Sequence, residues 1–392
     1  MITREEIREL AQFQAQDDNE CIISFYFQPQ TPQDKSHRGE VILVKDLIKT
    51  ALREAEKNGK QACARADLNR ILDVAEHLHG NQARAKAIFA SARQNFWREF
   101  DLPPMLPGSQ VFLGRRFQLK PLASLLGAQP KLAVVLVNRQ KARFFDFRLD
   151  ELKERESISH SVTRHNRSDG FGGYDAGHTE RRIADEALHH FKNVSERLMD
   201  EAERGVWDKL ILGCPAETWA EFEPHLHNYL KQRLIGRFSA EIANAVNGNL
   251  REEASRILRQ SLEQRRHDLV RQTLNQAKSN SLGVTGLRRV LRSLELGEVQ
   301  TLLLGENYHA HGFECVNCGH LDTHRLTTCP VCAQAIRELE DVTEPLISAA
   351  ILRDIELFYI RDDAEFDSAG NIAALLRFRV DQNRTGNIAL AS

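Results

Sequence analysis

The chain has 392 residues, 28% of them charged and 42% apolar, with a formal net charge of −2. That length exceeds one ordinary core, so two or three domains are expected, and the composition is globular rather than disordered. No run approaches the roughly 18 apolar residues of a spanning helix, and near neutrality confines any nucleic-acid contact to local patches.

The N-terminal stretch MITREEIREL is charged from its fourth residue and does not read as a signal peptide. In the first segment, residues 1–127, CIISFYF (21–27) reads as a buried strand. A helical run follows the loop QPQTPQDKSHRGE, with Val41, Val44, Leu47, Ile48 and Leu52 at helical spacing. The Ala-, Arg- and Gln-rich stretch 63–98 reads as further helix. DLPPMLPGSQ (101–110) breaks it with three prolines and a glycine, and two short strands follow. Together these suggest a small α/β unit.

In the second segment, 128–272, KLAVVLV (131–137) and RFFDFRL (143–149) flank NRQKA as a hairpin. Next comes SVTRHNRSDGFGGYDAGHTERR (161–182). It concentrates Gly170, Gly172, Gly173 and Gly177 among Arg164, His165, Arg167, His178, Arg181 and Arg182, with Phe171 and Tyr174 as its aromatics. Taken alone this is a plain mobile loop with solvated charges or a phosphate-binding loop. Against the second option, neither GxxxxGK[ST] nor G-x-G-x-x-G after a strand is present. A long helix is expected from about Thr179, with Ala184, Ala187, Leu188, Phe191, Val194 and Leu198 as its apolar stripe. The strand KLILGC (209–214) and more helix follow. The charged stretch 250–278 reads as a surface or linking helix with a solvated face.

In the third segment, 273–392, a helix carrying Leu287, Val290, Leu291 and Leu294 ends at Gly297, a natural C-cap. The strand EVQTLLLG (298–305) precedes an insertion at about 311–336. Helix 343–352 and strands 355–360 and 374–380 complete the segment. Alternating strand and helix imply layered α/β structure. The expected fold class is therefore α/β in three domains, each a mixed sheet with packed helices.

The insertion contains CVNCGHLDTHRLTTCPVC. Cys315, Cys318, Cys329 and Cys332 form two Cys-x-x-Cys pairs at zinc-ribbon spacing, and four thiolates close a tetrahedron. One structural zinc per chain is expected, because no coordination position stays open for chemistry. A disulfide or a redox pair are the alternatives. The charged N-terminus and the isolated Cys21, Cys63 and Cys214 argue against an oxidising compartment and for a cytoplasmic protein. Cys21 and Cys214 lie in apolar runs and are expected to be buried thiols. The nearby His311, His320 and His324 are expected at the surface.

Several stretches, in order, resemble the archaeal and eukaryotic class-1 peptide-chain release factors and their relative Pelota. IISFYFQP is similar to the first strand of the N-terminal domain. GGYDAGHTERR stands where that family carries its Gly-Gly-Gln tip and arginine-rich helix start. LGVTGLRRVLRSLELGEVQTLLLGEN and FDSAGNIAALLRFRV resemble the third domain, in which an inserted pair of knuckles is an archaeal trait. The likeness covers about 130–392 well and 1–127 poorly. Among bacterial members it runs toward Balon-type ribosome-hibernation factors.

The resemblance implies a ribosome-binding translation factor that occupies the A site of idle or stalled ribosomes. Its tip, Gly172, Gly173 and Tyr174, would reach toward the peptidyl-transferase centre. The partners implied are rRNA, P-site tRNA and a translational GTPase, with no DNA and no membrane. Glycines fit a narrow RNA cavity, and Arg164, Arg167, His178, Arg181 and Arg182 are the expected phosphate contacts. Tyr174 replaces the family's tip glutamine, so efficient hydrolysis is not expected and no catalytic residue is assigned. The first segment lacks the family's Asn-Ile-Lys-Ser and Tyr-x-Cys-x-x-x-Phe patterns for stop-codon reading. Two further readings stay open. One is a release or rescue factor that hydrolyses peptidyl-tRNA with the tip backbone guiding water; the other is an RNA- or protein-binding adaptor away from the ribosome.

Overall fold

Thr3 starts the first helix. Its hydroxyl accepts from the Glu6 backbone N–H at 3.2 Å, and the Glu6 carboxylate accepts from the Thr3 N–H at 2.7 Å, a capping box before α1 (Arg4–Gln12). The computed structural model describes residues 2–17, 20–28, 38–57, 61–77, 85–102, 108–126, 130–148, 151–159, 173–242 and 247–380. They fall into two compact units, Met1–Ala128 with Arg266–Ser392, and Gln129–Arg265.

The N-terminal part of the first unit contains β1 (Ile22–Phe27), α2 (Arg38–Lys57), α3 (Gln61–His77), β2 (Ala85–Ser91), β3 (Phe96–Leu102), β4 (Gln110–Gly114) and α4 (Lys120–Leu126). Its antiparallel sheet has the order β3-β2-β1-β4. Every residue of β1 is buried because the strand feeds two cores. Ile23, Phe25 and Phe27 pack with Val44 and Ile48 of α2 on one side, and Ile22 and Tyr26 face the other; alternate strand residues point to opposite faces.

The helix expected over 63–98 ends with α3 at His77, and 85–102 is a hairpin instead. Both faces of β2 are covered: Ala85, Ala87 and Phe89 lie in one core, Ile88 and Ala90 in the other. A strand buried on both faces shows no polar alternation, and its alanines then read as helix. Asn95 turns the hairpin with φ 50°.

The second unit holds β5 (Leu132–Val137), β6 (Lys141–Arg148), β7 (Glu151–Ser159), α5 (Gly173–Glu203), β8 (Lys209–Gly213), α6 (Ala216–Phe222), α7 (Asn228–Arg233) and β9 (Leu234–Phe238), and the long α8 (Asn247–Lys278) begins there. Its mixed sheet runs β7-β6-β5-β8-β9, with β5-β8 and β8-β9 parallel. Ala133, Val135 and Val137 pack on Ala187, Phe191, Val194 and Leu198 of α5, while Leu132, Val134 and Leu136 pack with Leu250, Ala254 and Ile257 of α8. The sheet is thus covered on both sides. Helix α8, read from sequence as a surface or linking helix, does run from one unit into the other, but along its first turns it is a core helix rather than a solvated one. Near its other end Val270 and Leu274 are buried in the first unit.

The rest of the first unit comprises β10 (Gly283–Thr285), α9 (Leu287–Glu295), β11 (Val299–Gly305), β12 (Gly312–Cys315), β13 (Leu321–Asp322), β14 (Ile336–Leu339), α10 (Thr343–Leu352), β15 (Glu356–Ile360), α11 (Ala364–Ser368) and β16 (Ile372–Leu376). The main sheet is β10-β16-β11-β15, with β11-β15 parallel. A Cβ on Gly283 would lie 2.3 Å from the Thr273 carbonyl oxygen and 2.5 Å from the Ala277 nitrogen, so β10 approaches α8 closely enough to require glycine there. Gly297, φ 72°, follows α9 as expected, and α10 matches its expected span. This part shares one core with the N-terminal part: Ile7, Leu10, Phe89 and Leu122 cluster with Leu302, Leu346, Ile347 and Leu357. The fold is mixed α/β with several sheets and packed helices, and it carries the ribbon insertion β13-β12-β14.

Candidate functional site

The ribbon is built from two turns of one design. The Cys315 N–H donates to the His320 carbonyl at 2.9 Å, and the Cys329 N–H donates to the Gln334 carbonyl at 2.9 Å. Gly319 donates back to the Cys315 carbonyl at 3.1 Å, as Ala333 does to that of Cys329 at 2.9 Å. Both residues sit at positive φ, 71° and 60°. Repeating the turn brings the two Cys-x-x-Cys pairs face to face, and all four Sγ atoms lie within 4.8 Å of one another. The Cys315–Cys332 and Cys318–Cys329 Sγ separations are 3.3 and 3.6 Å. A tetrahedral ion with sulfur ligands at about 2.3 Å needs edges near 3.8 Å, so the cluster fits a metal ion with little movement.

Cys315 and Cys329 are buried and Cys318 is exposed. The Val331 N–H donates to the Cys329 Sγ at 3.4 Å. The Cys332 thiol is drawn down to about 6, chiefly by the Gln334 backbone N–H, and the thiolate is the ligand form. The neighbouring histidines stay outside the cluster. His311 Nε2 lies 2.8 Å from Glu338, His324 Nδ1 3.4 Å from Asp322, and His320 Nδ1 3.2 Å from Glu295. His311 and His324 are exposed as expected. His320 is not a surface residue: its side chain is 10% exposed, sheltered where the ribbon meets α9.

A buried ion cluster anchors the ribbon. The Glu314 carboxylate, next to Cys315, is 1% exposed and pairs with Arg116, from the loop after β4, and with Arg337 of β14, whose Nε lies 2.9 Å away. Sequence reasoning missed this cluster, because nothing local links positions so far apart in the chain.

At the other candidate site, Arg164, Arg167 and Gly172 lie outside the described residues. Helix α5 begins at Gly173 rather than near Thr179, so the backbones of Gly173, Tyr174 and His178 belong to its first turns and not to a loop. Arg181 and Arg182 are exposed on the same helix, and Arg182 Nε pairs with Glu186 at 3.2 Å. The start of a helix carries a positive dipole end, which adds to the arginines' field. Within the expected stripe, Ala187, Phe191, Val194 and Leu198 are buried. Ala184 and Leu188, with Ala187, Phe191, Pro224 and His225, line an open groove of about 530 Å³. The Arg139–Glu221 ion pair, Nε to Oε2 2.9 Å, borders it.

Residues 118–266 match the family described as "Bacterial archaeo-eukaryotic release factor family 10". Peptide chain release factor subunit 1 of Pyrococcus abyssi is 29% identical over 296 residues, 67% of this chain and 70% of that protein. Its counterpart in Thermococcus sibiricus is 28% identical over 295 residues, with the same coverage. Among solved structures, a translation termination-like factor of S. cerevisiae involved in RNA quality control overlaps 96% of this chain and 92% of its own at 11% identity, TM-score 0.40. Archaeoglobus fulgidus Pelota overlaps 77% and 82% at 12% identity, TM-score 0.34.

Proposed function

We propose that this chain, a homologue of the archaeo-eukaryotic release factors, is a ribosome-binding translation factor that occupies the A site of idle or stalled ribosomes in the cytoplasm. In this reading it acts in hibernation or rescue, in the manner of the Balon-type factors. The segments 1–127, 128–272 and 273–392 serve as its functional domains. Gly172, Gly173 and Tyr174 form the tip directed at the peptidyl-transferase centre. Arg164, Arg167, His178, Arg181 and Arg182 meet rRNA and P-site tRNA phosphates, and a translational GTPase is the delivering partner. The observation that carries the non-hydrolytic part is Tyr174 directly after Gly172-Gly173, where the release factors place glutamine. A phenol there fills the space a hydrolytic water needs.

In the third segment Cys315, Cys318, Cys329 and Cys332 hold one zinc ion, which supplies fold stability and no open coordination site. Sucrose-gradient sedimentation with ribosomes, with the A site vacant or filled, tests the reading. Co-sedimentation only with vacant A sites supports it. Failure to sediment with either would favour an adaptor acting away from the ribosome.

A further inference from the structure

Helix α9 opens on two cations at the end where its dipole disfavours them, while Arg292 lies in the last turn, where a cation is favoured. Arg288 and Arg289 occupy its first turn, with no acidic residue there, and Arg292 follows one turn later. Cations are unfavourable beside the positive end of a helix. The pairs 288/292 and 289/292 stand at i,i+4 and i,i+3, where like charges repel. Gly286, before the helix, offers no side-chain cap. The one acidic residue of α9, Glu295, is engaged by His320 at 3.2 Å.

All three arginines are exposed, and among the described residues none has an ion pair or a hydrogen-bonded side-chain partner. In the middle unit some exposed arginines pair with carboxylates, as Arg139 and Arg256 do with Glu221 and Glu253, while others such as Arg181 stand without an ion pair as the three on α9 do; what sets α9 apart is that its three lie within one turn of each other. The three like charges therefore stand close together on one helix with no ion pair among the described residues.

We propose that the Arg288–Arg289–Arg292 face of α9 binds the phosphate backbone of RNA. Three guanidiniums spread over about one helical turn, 5.4 Å in pitch, can clamp successive phosphates in bidentate fashion. An acidic protein partner fits less well. Val290, Leu291 and Leu294 are buried, so the exposed face has no apolar centre before Leu296, whereas protein interfaces are built round an apolar core. Such a face gives salt-dependent attachment without sequence preference. The inference rests on the ribosome-binding reading and adds to it a contact made by the third segment, independent of the tip.

The test uses full-length protein carrying Arg288→Gln, Arg289→Gln and Arg292→Gln together. It measures binding to vacant ribosomes and to a labelled generic RNA hairpin over a salt series. The side chains are exposed, so circular dichroism and metal content should match the wild type. The expected result is a loss of roughly tenfold or more in both affinities at about 0.1 M salt, with the slope of log K against log salt shallower by about two to three units. Wild-type sedimentation with ribosomes alongside an unchanged affinity and slope in the variant would overturn this inference and leave the ribosome reading standing. Hairpin binding that depends on α9 in a protein that ignores ribosomes would do the opposite. A variant that loses ribosomes but keeps the hairpin would assign the face to an acidic protein surface, overturning the RNA assignment.

Discussion

Gly319 and Ala333 occupy the same place in two copies of one turn, each a residue past the second cysteine of its knuckle and each at positive φ. Glycine adopts that conformation freely, whereas alanine is strained by about 1–2 kcal/mol. A Cβ on Gly319 would meet only the Arg116 guanidinium nitrogen at 4.0 Å, so space is available and backbone strain alone decides. Gly319→Ala should therefore lower stability by about 1 kcal/mol. Ala333→Gly should raise it by a smaller amount, because glycine's extra freedom in the unfolded chain offsets part of the relief. Thermal unfolding of the metal-loaded protein reads both. Equal and same-signed shifts would refute the equivalence of the two turns.

The four sulfurs set the second expectation. Protein purified without chelator should contain about one zinc per chain by elemental analysis. Cys329→Ser should abolish stoichiometric metal, because Cys329 is buried and supplies one of only four ligands. Ribbon folding depends on ligation, so the same change, or removal of metal by a strong chelator, should raise proteolytic nicking within 311–336. Wild-type protein free of zinc and resistant to nicking would remove the assignment.

Glu344 ties α10 to α4. Its carboxylate accepts from the Leu119 backbone N–H at 2.8 Å and that of Lys120 at 3.2 Å. Burial pushes its pKa up to about 7; those two N–H groups and the Lys120 charge oppose the rise, and Asp341 adds to it. Tyr26 and Tyr359 face the same carboxylate, and both have pKa values raised first by burial and then by that charge. A folded pKa above the unfolded value of 4.5 means that the native state holds the proton more tightly. This contribution is fully present below about pH 4.5 and is lost as pH rises through about 7. Wild type should lose up to about 2–3 kcal/mol between about pH 5 and 8 relative to Glu344→Gln, which keeps an acceptor oxygen but does not titrate. Denaturant unfolding of both proteins across that range measures the difference. Parallel curves would show that Glu344 is ordinary.

Legibility followed the range of the interactions. The four-cysteine cluster, the C-cap at Gly297 and α10 were readable because each is specified by a few adjacent residues. The hairpin at 85–102 was not: its identity comes from burial on both faces, and burial depends on α2 and on the third segment. Strands β7 and β9 were missed too. Both lie at sheet edges, with half-exposed patterns that resemble ordinary polar chain. The Arg116–Glu314–Arg337 cluster is a meeting of distant segments and has no local signature. The glycine content of 170–177 suggested a loop, whereas the helix already holds Gly173 and Tyr174.

That helix start sharpens the difference between a binder and an enzyme. Tyr174 follows the first residue of α5, so its backbone lies in the first turn of that helix. A hydrolase must place water against the peptidyl ester, and losing one transition-state donor typically costs a factor of about 10²–10³. Without the glutamine used by the release factors, the wild type should bind ribosomes carrying peptidyl-tRNA and release little peptide. Tyr174→Gln should add weak release while leaving ribosome affinity largely intact. Gly173→Val places a β-branched side chain at the first helical residue and should weaken tight binding through bulk in a confined cavity. A single-round peptide-release assay on stalled complexes, run beside sedimentation, separates the cases. Rapid release by the wild type that Gly173→Val abolishes would establish hydrolysis and show that the tip backbone suffices without glutamine.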